Sequence, residues 1–350
     1  MFFSPKNIKK RKFLFLSAGR MKNAHIATAM KRIFAIQLLS LFLFSCPSRA
    51  GNDSLLLMFW NLENFFDYRD SSAGREFSSG GERHWTAKRF YAKCEAVSKA
   101  VMWIAGKYGR MPDIIAVAEV ENRFVTERLA ASYSLKKAGY RTIHYDSPDP
   151  RGIDVAILYR KDSLELVRSA PCRTFPAGSE YGATRDILLA SFRAGGGTFS
   201  VLVNHLPSKY GGTAVSAPRR RAAAERLRFL ADSLIAAGCR TIIAAGDFND
   251  TPDKSLFSVL SPVFVNKAFP LFRRGEGTIR FNGRWEMIDM FFVTPDLDGL
   301  SVMEAVRVPF LMTRDAMSGE KPLRTYSGPR YTGGVSDHLP VVLRIARTGR

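Results

Sequence analysis

The fold is decided most clearly by residues 241–250, Thr-Ile-Ile-Ala-Ala-Gly-Asp-Phe-Asn-Asp. The first half of this stretch is apolar and β-branched, which predicts a short buried strand over Thr241–Ala245. Three polar residues, Asp247, Asn249 and Asp250, follow almost at once. A strand that only builds a core does not need carboxylates and an amide at its end. The stretch therefore predicts a strand that delivers polar side chains to one edge of a sheet.

Seven further segments share this short apolar pattern and are bounded by Gly, Pro, Asp or Asn. They are Leu55–Trp60, Ile114–Val120, Val155–Tyr159, Leu188–Phe192, Phe199–Asn204, Met287–Val293 and Pro340–Ile345. Helical patterns predict three helices, Ala87–Lys107, Val125–Lys137 and Pro218–Ala237. Because strands alternate with helices and no repeat or composition break follows residue 51, residues 51–350 are predicted to form one α/β domain of layered sheets.

Asp, Glu, Asn or His side chains stand at or beside the ends of six of these strands. They are Asn61 with Glu63, Glu119, Asn204 with His205, Asp247 with Asn249, Asp289, and Asp337 with His338. A single carboxylate at a strand end is usually a turn former or a helix cap, but so many together are costly to bury unpaired. A hard cation would satisfy them jointly. Oxygen ligands without paired cysteines favour Mg²⁺, Mn²⁺ or Ca²⁺ over zinc.

The order of short motifs along the chain resembles that of the endonuclease/exonuclease/phosphatase superfamily, which includes the pancreatic-type deoxyribonucleases. The motifs are Trp60-Asn61-Leu62-Glu63-Asn64, Ala118-Glu119-Val120, Asn204-His205, Gly246-Asp247-Phe248-Asn249, Ile288-Asp289 and Ser336-Asp337-His338. The resemblance covers nearly the whole chain after residue 51. It implies a four-layer α/β sandwich, in which two mixed β-sheets pack face to face and helices lie on the outer faces.

The resemblance implies that Asn61, Glu63, Glu119 and Asp337 hold the metal, with Glu119 as the principal ligand. Apurinic endonucleases of the superfamily have an Asp two residues after the Asn, where this chain has Glu63. We expect the longer side chain to reach the same metal. The implied cofactor is Mg²⁺ or Mn²⁺, with Ca²⁺ as the candidate for a second ion.

The resemblance also implies five catalytic residues, His205, Asp247, Asn249, Asp289 and His338. Asp247 and Asn249 would orient the attacking water and hold the phosphate. His338, steered by Asp289, would act on the phosphate, and His205 would contact it from the other side. This set suits phosphodiester hydrolysis, because a divalent ion offsets the substrate's charge while donors stabilise the charge that builds in the transition state.

Two further residues are interpreted less directly. Arg185 stands at the start of the strand before the His205 strand, and it matches a phosphate-contacting arginine of the deoxyribonucleases. The resemblance therefore implies that Arg185 binds substrate. Asp154 enters a predicted strand, where it either orients His205 or belongs to a turn.

The charge of the chain favours an anionic substrate. The net charge is +20, from 52 Lys and Arg against 32 Asp and Glu, and residues 1–50 hold ten of the basic residues and no acidic one. Residues 51–350 therefore keep 42 basic against 32 acidic residues, a net charge of +10. Such an excess favours nucleic acid.

These observations predict an exported, metal-dependent phosphodiester hydrolase with endonuclease activity on nucleic acid. The alternative is a phosphodiesterase or phosphatase that acts on lipid headgroups or small phosphoesters. A non-catalytic binding protein is disfavoured, because Glu119, His205, Asp247 and His338 are all present. We expect a monomer without an obligate protein partner.

Residues 1–50 are predicted to be an N-terminal extension with a signal peptide. Lys31-Arg32 precedes the apolar run Ile33–Ser45, and Ser48-Arg49-Ala50 offers a cleavage site. This pattern predicts export to the periplasm or the extracellular space. In a second interpretation, Cys46 becomes a lipid-modified N-terminus. The remaining cysteines, Cys94, Cys172 and Cys239, allow at most one disulfide, and the sequence leaves its pairing open.

Overall fold

Two six-stranded mixed sheets form the framework in the computed structural model, which describes residues 54–69, 76–195, 197–209, 211–315 and 319–346. The first sheet contains β1 (Ser54–Phe65), β2 (Ile114–Val120), β3 (Tyr140–His144), β4 (Asp154–Arg160), β13 (Ser301–Ala305) and β18 (Val341–Ala346). The second contains β5 (Glu165–Cys172), β6 (Ile187–Ala194), β7 (Gly197–His205), β8 (Ile242–Asp247), β9 (Val265–Asn266) and β12 (Asp289–Val293).

The two sheets have matching plans. The strand orders are β13-β18-β1-β2-β4-β3 and β5-β6-β7-β8-β12-β9. Each sheet has a parallel pair at its centre, β1 with β2 and β7 with β8. Parallel neighbours end at the same edge of a sheet, so each central pair brings two strand ends together. The polar motifs of the sequence lie at these ends.

The side chains of β1 show how the layers are built, because successive residues of a strand point to opposite faces. Leu57 and Phe59 belong to the cluster that also contains Leu202 of β7, so they lie between the sheets. Met58 and Trp60 belong to the other cluster, with Phe90 of helix α1 (Ala87–Tyr108). The predicted four-layer sandwich is thereby confirmed, and β1 is buried on both faces.

Four helices are present in the described part of the chain. They are α1, α2 (Arg123–Ala130), α3 (Thr213–Ala236) and α4 (Phe269–Arg273). The second predicted helix is wrong beyond Ala130, where Ser132 bonds the Leu129 carbonyl through both its amide and its hydroxyl. A separate 3₁₀ turn follows at Lys136–Ala138. The third prediction began five residues too late, because Pro218 lies inside α3 and does not open it.

The eight strands predicted from the sequence are the eight interior strands of the two sheets, with bounds shifted by a few residues. The four sheet strands that were not predicted, β3, β5, β9 and β13, are the four sheet edges. Edge strand β5 shows the reason, since none of its eight residues is fully buried and its side chains lack apolar alternation.

Among the residues that the structure describes, three short hairpins lie outside the two sheets. They are β10 (Ile279–Phe281) with β11 (Arg284–Glu286), β14 (Met312–Asp315) with β15 (Gly319–Pro322), and β16 (Tyr326–Ser327) with β17 (Arg330–Tyr331).

Three features bear on the predictions for the chain ends and cysteines. The predictions for residues 1–50, including the boundary at residue 51 and Cys46, lie outside the described residues. Cys94, Cys172 and Cys239 are free thiols. None of the helices in the described part of the chain combines the length and apolarity needed to cross a bilayer.

Candidate active site

The register of β7, β8 and β12 brings three predicted catalytic residues side by side. His205 pairs with Asp247 across the parallel strands, and Asp289 pairs with Asp247 across the antiparallel ones. Gly246 permits this close arrangement, since a Cβ atom there would lie 2.2 Å from the Asn204 carbonyl oxygen. The glycine of the Gly-Asp-Phe-Asn motif is therefore required by packing.

His338 is bound to Asp289 as the sequence predicted. The distance from His338 Nδ1 to Asp289 Oδ2 is 2.8 Å, and both side chains are buried. Burial alone would lower the pKa of His338, but the Asp289 carboxylate and this hydrogen bond raise it well above its usual value. The Asp289 carboxylate therefore favours the charged imidazolium form of His338. Its backbone is fixed by the Trp60 indole, which donates to the His338 carbonyl at 2.8 Å.

Asp247 lies at the centre of the site and is fully buried. Its carboxylate accepts hydrogen bonds from Asn61 Nδ2 at 3.0 Å and from the Asn249 amide at 2.8 Å. Burial, followed by the nearby Asp289, raises the pKa of Asp247 to about 7. A carboxylate with a pKa near neutrality is suited to accept a proton from water. Asn249 has a φ of 51°, and its side chain donates to the Leu206 carbonyl.

Two imidazoles face the same oxygen of Asp247. His205 Nε2 lies 3.5 Å from Asp247 Oδ2, and His338 Nε2 lies 3.9 Å from it. Burial, together with Arg185 and Arg151, lowers the pKa of His205 well below its usual value. The surroundings therefore favour the neutral form of His205 and the charged form of His338. The neutral ring can donate one hydrogen bond, and the charged ring adds positive charge.

Asp154 does not orient His205. Asp154 Oδ2 lies 3.3 Å from Nε2 of a different histidine, His144, and Asp154 Oδ1 accepts from the Ser147 amide. Within the described residues His205 Nδ1 has no hydrogen-bond partner. Asp154 does not belong to a turn either, because it is the first residue of β4. The pairing with His144 was missed because β3 was not predicted.

Arg185 lies behind His205. Its guanidinium donates to Asp149 Oδ2 at 3.0 Å and to the Leu206 carbonyl at 3.1 Å, and the side chain is buried. Arg185 thus braces the segment that follows His205. Its predicted contact with a substrate phosphate stays a prediction.

Glu119 stands on a bulge that directs its side chain into the site. It has a φ of 60°, and the pairing of β2 with β4 shifts register between Ala118 and Val120. Such bulges re-aim side chains next to active sites. The carboxylate accepts hydrogen bonds from Asn61 Nδ2 at 3.4 Å and from the Asn64 amide at 2.8 Å.

Glu63 and Asp337 share one guanidinium. Arg324 Nε donates to Glu63 Oε1 at 2.8 Å, and Arg324 Nη2 lies 3.2 Å from Asp337 Oδ2. The second oxygen of Glu63 accepts from the Thr325 amide at 3.0 Å. Burial and then Asp337 raise the pKa of Glu63, against the opposing effect of Arg324 and the buried Lys93. Glu63 is therefore already hydrogen-bonded through both oxygens.

These residues fit a divalent cation. Donor atoms of Asp247, Asp289 and His338 lie within 4.8 Å of one another. The carboxylates expected to hold the metal, Glu63, Glu119 and Asp337, have positive groups directly on them. Arg324 contacts two of them, and Arg151 Nη2 lies 3.6 Å from Glu119 Oε2. An all-oxygen donor set of this kind suits Mg²⁺ or Mn²⁺. The Asn61 side chain enters as a hydrogen-bond donor to Glu119 and Asp247, and its oxygen accepts from the Glu63 amide.

A carboxylate with a near-neutral pKa, flanked by two imidazoles and followed by three further carboxylates, lies at the strand ends of two packed mixed sheets. This fold is the one that a class of phosphoester hydrolases shares. The chain belongs to the endonuclease/exonuclease/phosphatase family, whose sequence profile matches residues 56–347. Members of this family hydrolyse phosphoesters and generally use divalent metals.

Solved structures share the fold at low sequence identity. A family member from Bacteroides thetaiotaomicron aligns with a TM-score of 0.57 at 16% identity, covering 83% of this chain and 97% of the other. A mannosyl-6-phosphatase from the same organism gives 0.54 at 17% identity, with 83% and 98% covered. The human nocturnin catalytic domain gives 0.54 at 19% identity, with 85% and 95% covered. No curated protein sequence matched the chain.

Three residues of the site were not predicted. Arg324 lies on the carboxylates of Glu63 and Asp337, and Arg151 lies on that of Glu119. Nothing in the local sequence distinguishes these two arginines from surface arginines. Lys93 Nζ donates to the Glu63 carbonyl at 2.7 Å and to Thr325 Oγ1 at 2.8 Å. Its position on the apolar face of α1 was the available signal, because a buried lysine needs partners.

Proposed function

We propose that this protein is an exported, divalent-metal-dependent phosphodiester hydrolase whose substrate is nucleic acid. The observation that carries the proposal is the meeting of two imidazoles on Asp247. His205 Nε2 and His338 Nε2 lie 3.5 and 3.9 Å from Asp247 Oδ2. Asp247, a proton acceptor, thereby lies beside two imidazoles that can contact phosphate oxygens.

The bound metal would neutralise the substrate's charge and stabilise the leaving oxygen. Asp247 accepts the proton of the attacking water, since its raised pKa makes it a competent base near neutral pH. The side chain of Asn61 and the backbone N–H of Asn249 hold Asp247 in position by donating hydrogen bonds to its carboxylate. Glu119 and Asp337 would hold the metal, and Asn61 positions Glu119 through a hydrogen bond.

The two histidines act on the phosphate in different ways. His338, kept protonated by Asp289, adds positive charge where negative charge builds in the transition state. His205 stays neutral and donates one hydrogen bond to a phosphate oxygen. As a neutral ring it does not add further charge to a site that already receives a divalent ion.

Nucleic acid is favoured by the charge of the chain. Residues 51–350 carry a net charge of +10, with 42 basic and 32 acidic residues. Such an excess attracts a polyanion over long range. We expect a monomer without an obligate protein partner, and light scattering of the purified protein tests this directly.

A compact phosphoester is the second candidate, because a cavity of about 380 Å³ adjoins the metal-binding residues. Its lining residues are Asn64, Phe66, Glu76, Phe77, Arg83 and Arg151. Two guanidiniums and two aromatic rings suit a small substituent with a charged group. A lipid headgroup or a sugar phosphate has these properties, and one structural neighbour is a mannosyl-6-phosphatase.

A substrate panel tests the proposal. Plasmid DNA, single-stranded oligonucleotides, RNA, sphingomyelin and bis-p-nitrophenyl phosphate are incubated with the protein in Mg²⁺ and in EDTA. We expect Mg²⁺-dependent cleavage of nucleic acid and of the small diester, and loss of both in His338→Ala. His84→Ala, at an exposed histidine, is the control that keeps activity. Hydrolysis of small or lipid esters without any nucleic acid cleavage would refute the choice of substrate.

Export is part of the proposal and is supported by the order of Lys31-Arg32 and the apolar run Ile33–Ser45. Mass spectrometry of protein from the native host should find an N-terminus at Gly51 or a lipid on Cys46. Recovery of peptides from Ile33–Ser45 in the mature protein would contradict export by this route.

A further inference from the structure

A short hairpin, residues 279–286, is fixed to the catalytic residues at its base. Its first residue, Ile279, forms a β-bridge with His338. The preceding Thr278 accepts the Leu339 amide on its carbonyl at 2.7 Å. Its hydroxyl also accepts the Asp289 amide at 3.2 Å. The 279–286 hairpin is therefore held directly against the His338–Asp289 pair.

The tip of the hairpin is a tight turn with a defined conformation. Asn282 and Gly283 have φ of 45° and 73°, the signs of a two-residue turn that matches the strand twist. The turn presents Phe281, whose exposed fraction is 57%, next to its cross-strand partner Arg284, which is also exposed. An exposed aromatic ring and a guanidinium thus stand together at a fixed point.

The rest of the hairpin supports this tip. Trp285 has the guanidiniums of Arg280 and Arg307 over its ring, at 5.5 and 4.8 Å. At the hairpin's end, Glu286 Oε2 lies 3.0 Å from Nζ of Lys209, in the segment that follows His205. The hairpin is therefore connected to both histidine-bearing segments of the site.

The charge and shape of the hairpin tip favour a nucleic acid strand as its ligand. Nucleic acid bases stack on exposed aromatic rings, and arginines contact the phosphates between them. A hairpin that enters a membrane needs several adjacent apolar residues at its tip, whereas here Phe281 is followed by Asn282, Gly283 and Arg284.

We propose that the 279–286 hairpin binds single-stranded nucleic acid beside the scissile phosphate, with a base stacked on Phe281 and a phosphate bound by Arg284. This inference rests on the proposed nuclease function and names the residues that hold the strand. Both residues are substrate-binding and take no part in the chemistry.

The test compares a long and a short substrate. For Phe281→Ala we expect KM for a single-stranded oligonucleotide to rise on the order of 10-fold, the usual effect of losing one stacked base. Hydrolysis of bis-p-nitrophenyl phosphate, which has neither a nucleobase nor a second phosphate for the hairpin to bind, should be unchanged. Phe281→Trp should restore oligonucleotide binding. Arg284→Gln should also reduce the salt dependence of oligonucleotide KM, by about 0.7 in the log–log slope for one lost phosphate contact.

Phe229→Ala is the matched control. Phe229 lies on the outer helix α3, is 58% exposed, and has Arg226 over its ring at 5.0 Å. Phe229→Ala should change neither the oligonucleotide KM nor the hydrolysis of bis-p-nitrophenyl phosphate. An oligonucleotide KM in Phe281→Ala equal to that of Phe229→Ala would overturn the inference while leaving the nuclease function intact.

Two other outcomes also decide the inference. If the unaltered protein hydrolyses bis-p-nitrophenyl phosphate but no nucleic acid, the proposed function and the inference both fail. Sedimentation with phosphatidylglycerol vesicles covers the membrane alternative. Vesicle binding that Phe281→Ala abolishes, with oligonucleotide KM unchanged, would overturn the assignment to nucleic acid.

Discussion

Arg220 of α3 is fully buried and joins three segments near the site. Its Nε and Nη2 atoms each lie 3.2 Å from Asp250 Oδ2, and Nη1 donates to Ser216 Oγ at 2.8 Å and to the Ser208 carbonyl at 3.4 Å. Asp250, which ends the stretch that decided the fold, is also buried. We therefore expect Arg220→Met to be strongly destabilising, although it conserves much of the side-chain volume.

The magnitude follows from the burial of both partners. Removing Arg220 leaves the buried Asp250 carboxylate with only Lys209, 3.7 Å away, as a counter-charge, and breaking such a buried pair costs about 3–5 kcal/mol. For a domain of this size that corresponds to a fall in melting temperature of roughly 10 °C. In the double variant Arg220→Met/Asp250→Leu both charges are absent. We expect it to recover most of the lost stability, because apolar residues often replace a buried pair at little cost.

Urea denaturation followed by circular dichroism measures these free energies of unfolding. Arg221→Met is the matched control, since Arg221 is the next residue of the same helix and forms an exposed i,i+4 pair with Glu225. It should cost about 1 kcal/mol or less. Equal losses in Arg220→Met and Arg221→Met would refute the reasoning. So would a double variant no more stable than Arg220→Met.

Three further predictions concern the site itself. Gly246→Ala should lower both melting temperature and kcat, because the added methyl group meets a backbone carbonyl; unchanged values would contradict this. The pH profile of kcat/KM should rise through about pH 7 as Asp247 loses its proton. It should fall at higher pH as His338, whose pKa is raised, loses its own. Asp289→Asn should move the alkaline limb to lower pH, and an unmoved limb would show that His338 does not act as an imidazolium.

The sequence predicted the interior strands of the two sheets better than their edge strands. The eight interior strands are short apolar runs, because both of their faces are covered. The edges β5 and β13 pack on one strand only and carry polar residues, so their sequences do not differ from those of loops. The predicted start of α3 was wrong because of Pro218. A proline early in a helix is commoner in the first turn, whereas here tertiary packing supports a helix that begins five residues earlier.

The candidate site was predictable where a motif fixes both residue type and strand position. The contact between His338 and Asp289, which the family resemblance implied, is of this kind. Arg324 was not predictable, since it reaches Glu63 across 261 positions of sequence from a segment without a motif. The neighbour of Asp154, His144, was not predicted because it lies on the edge strand β3. Long-range partners chosen by tertiary packing leave no local pattern.

The central claim is that one cluster combines metal binding with catalysis on phosphate. Single-turnover cleavage of bis-p-nitrophenyl phosphate by Glu119→Gln and His338→Ala across a Mn²⁺ titration tests it most directly. EDTA should abolish activity in the unaltered protein. Glu119→Gln should recover activity at high Mn²⁺, because it weakens metal binding. His338→Ala should stay slower on the order of 100-fold or more at every Mn²⁺ concentration. Near-normal turnover by folded His338→Ala, or full activity after chelation, would contradict the claim.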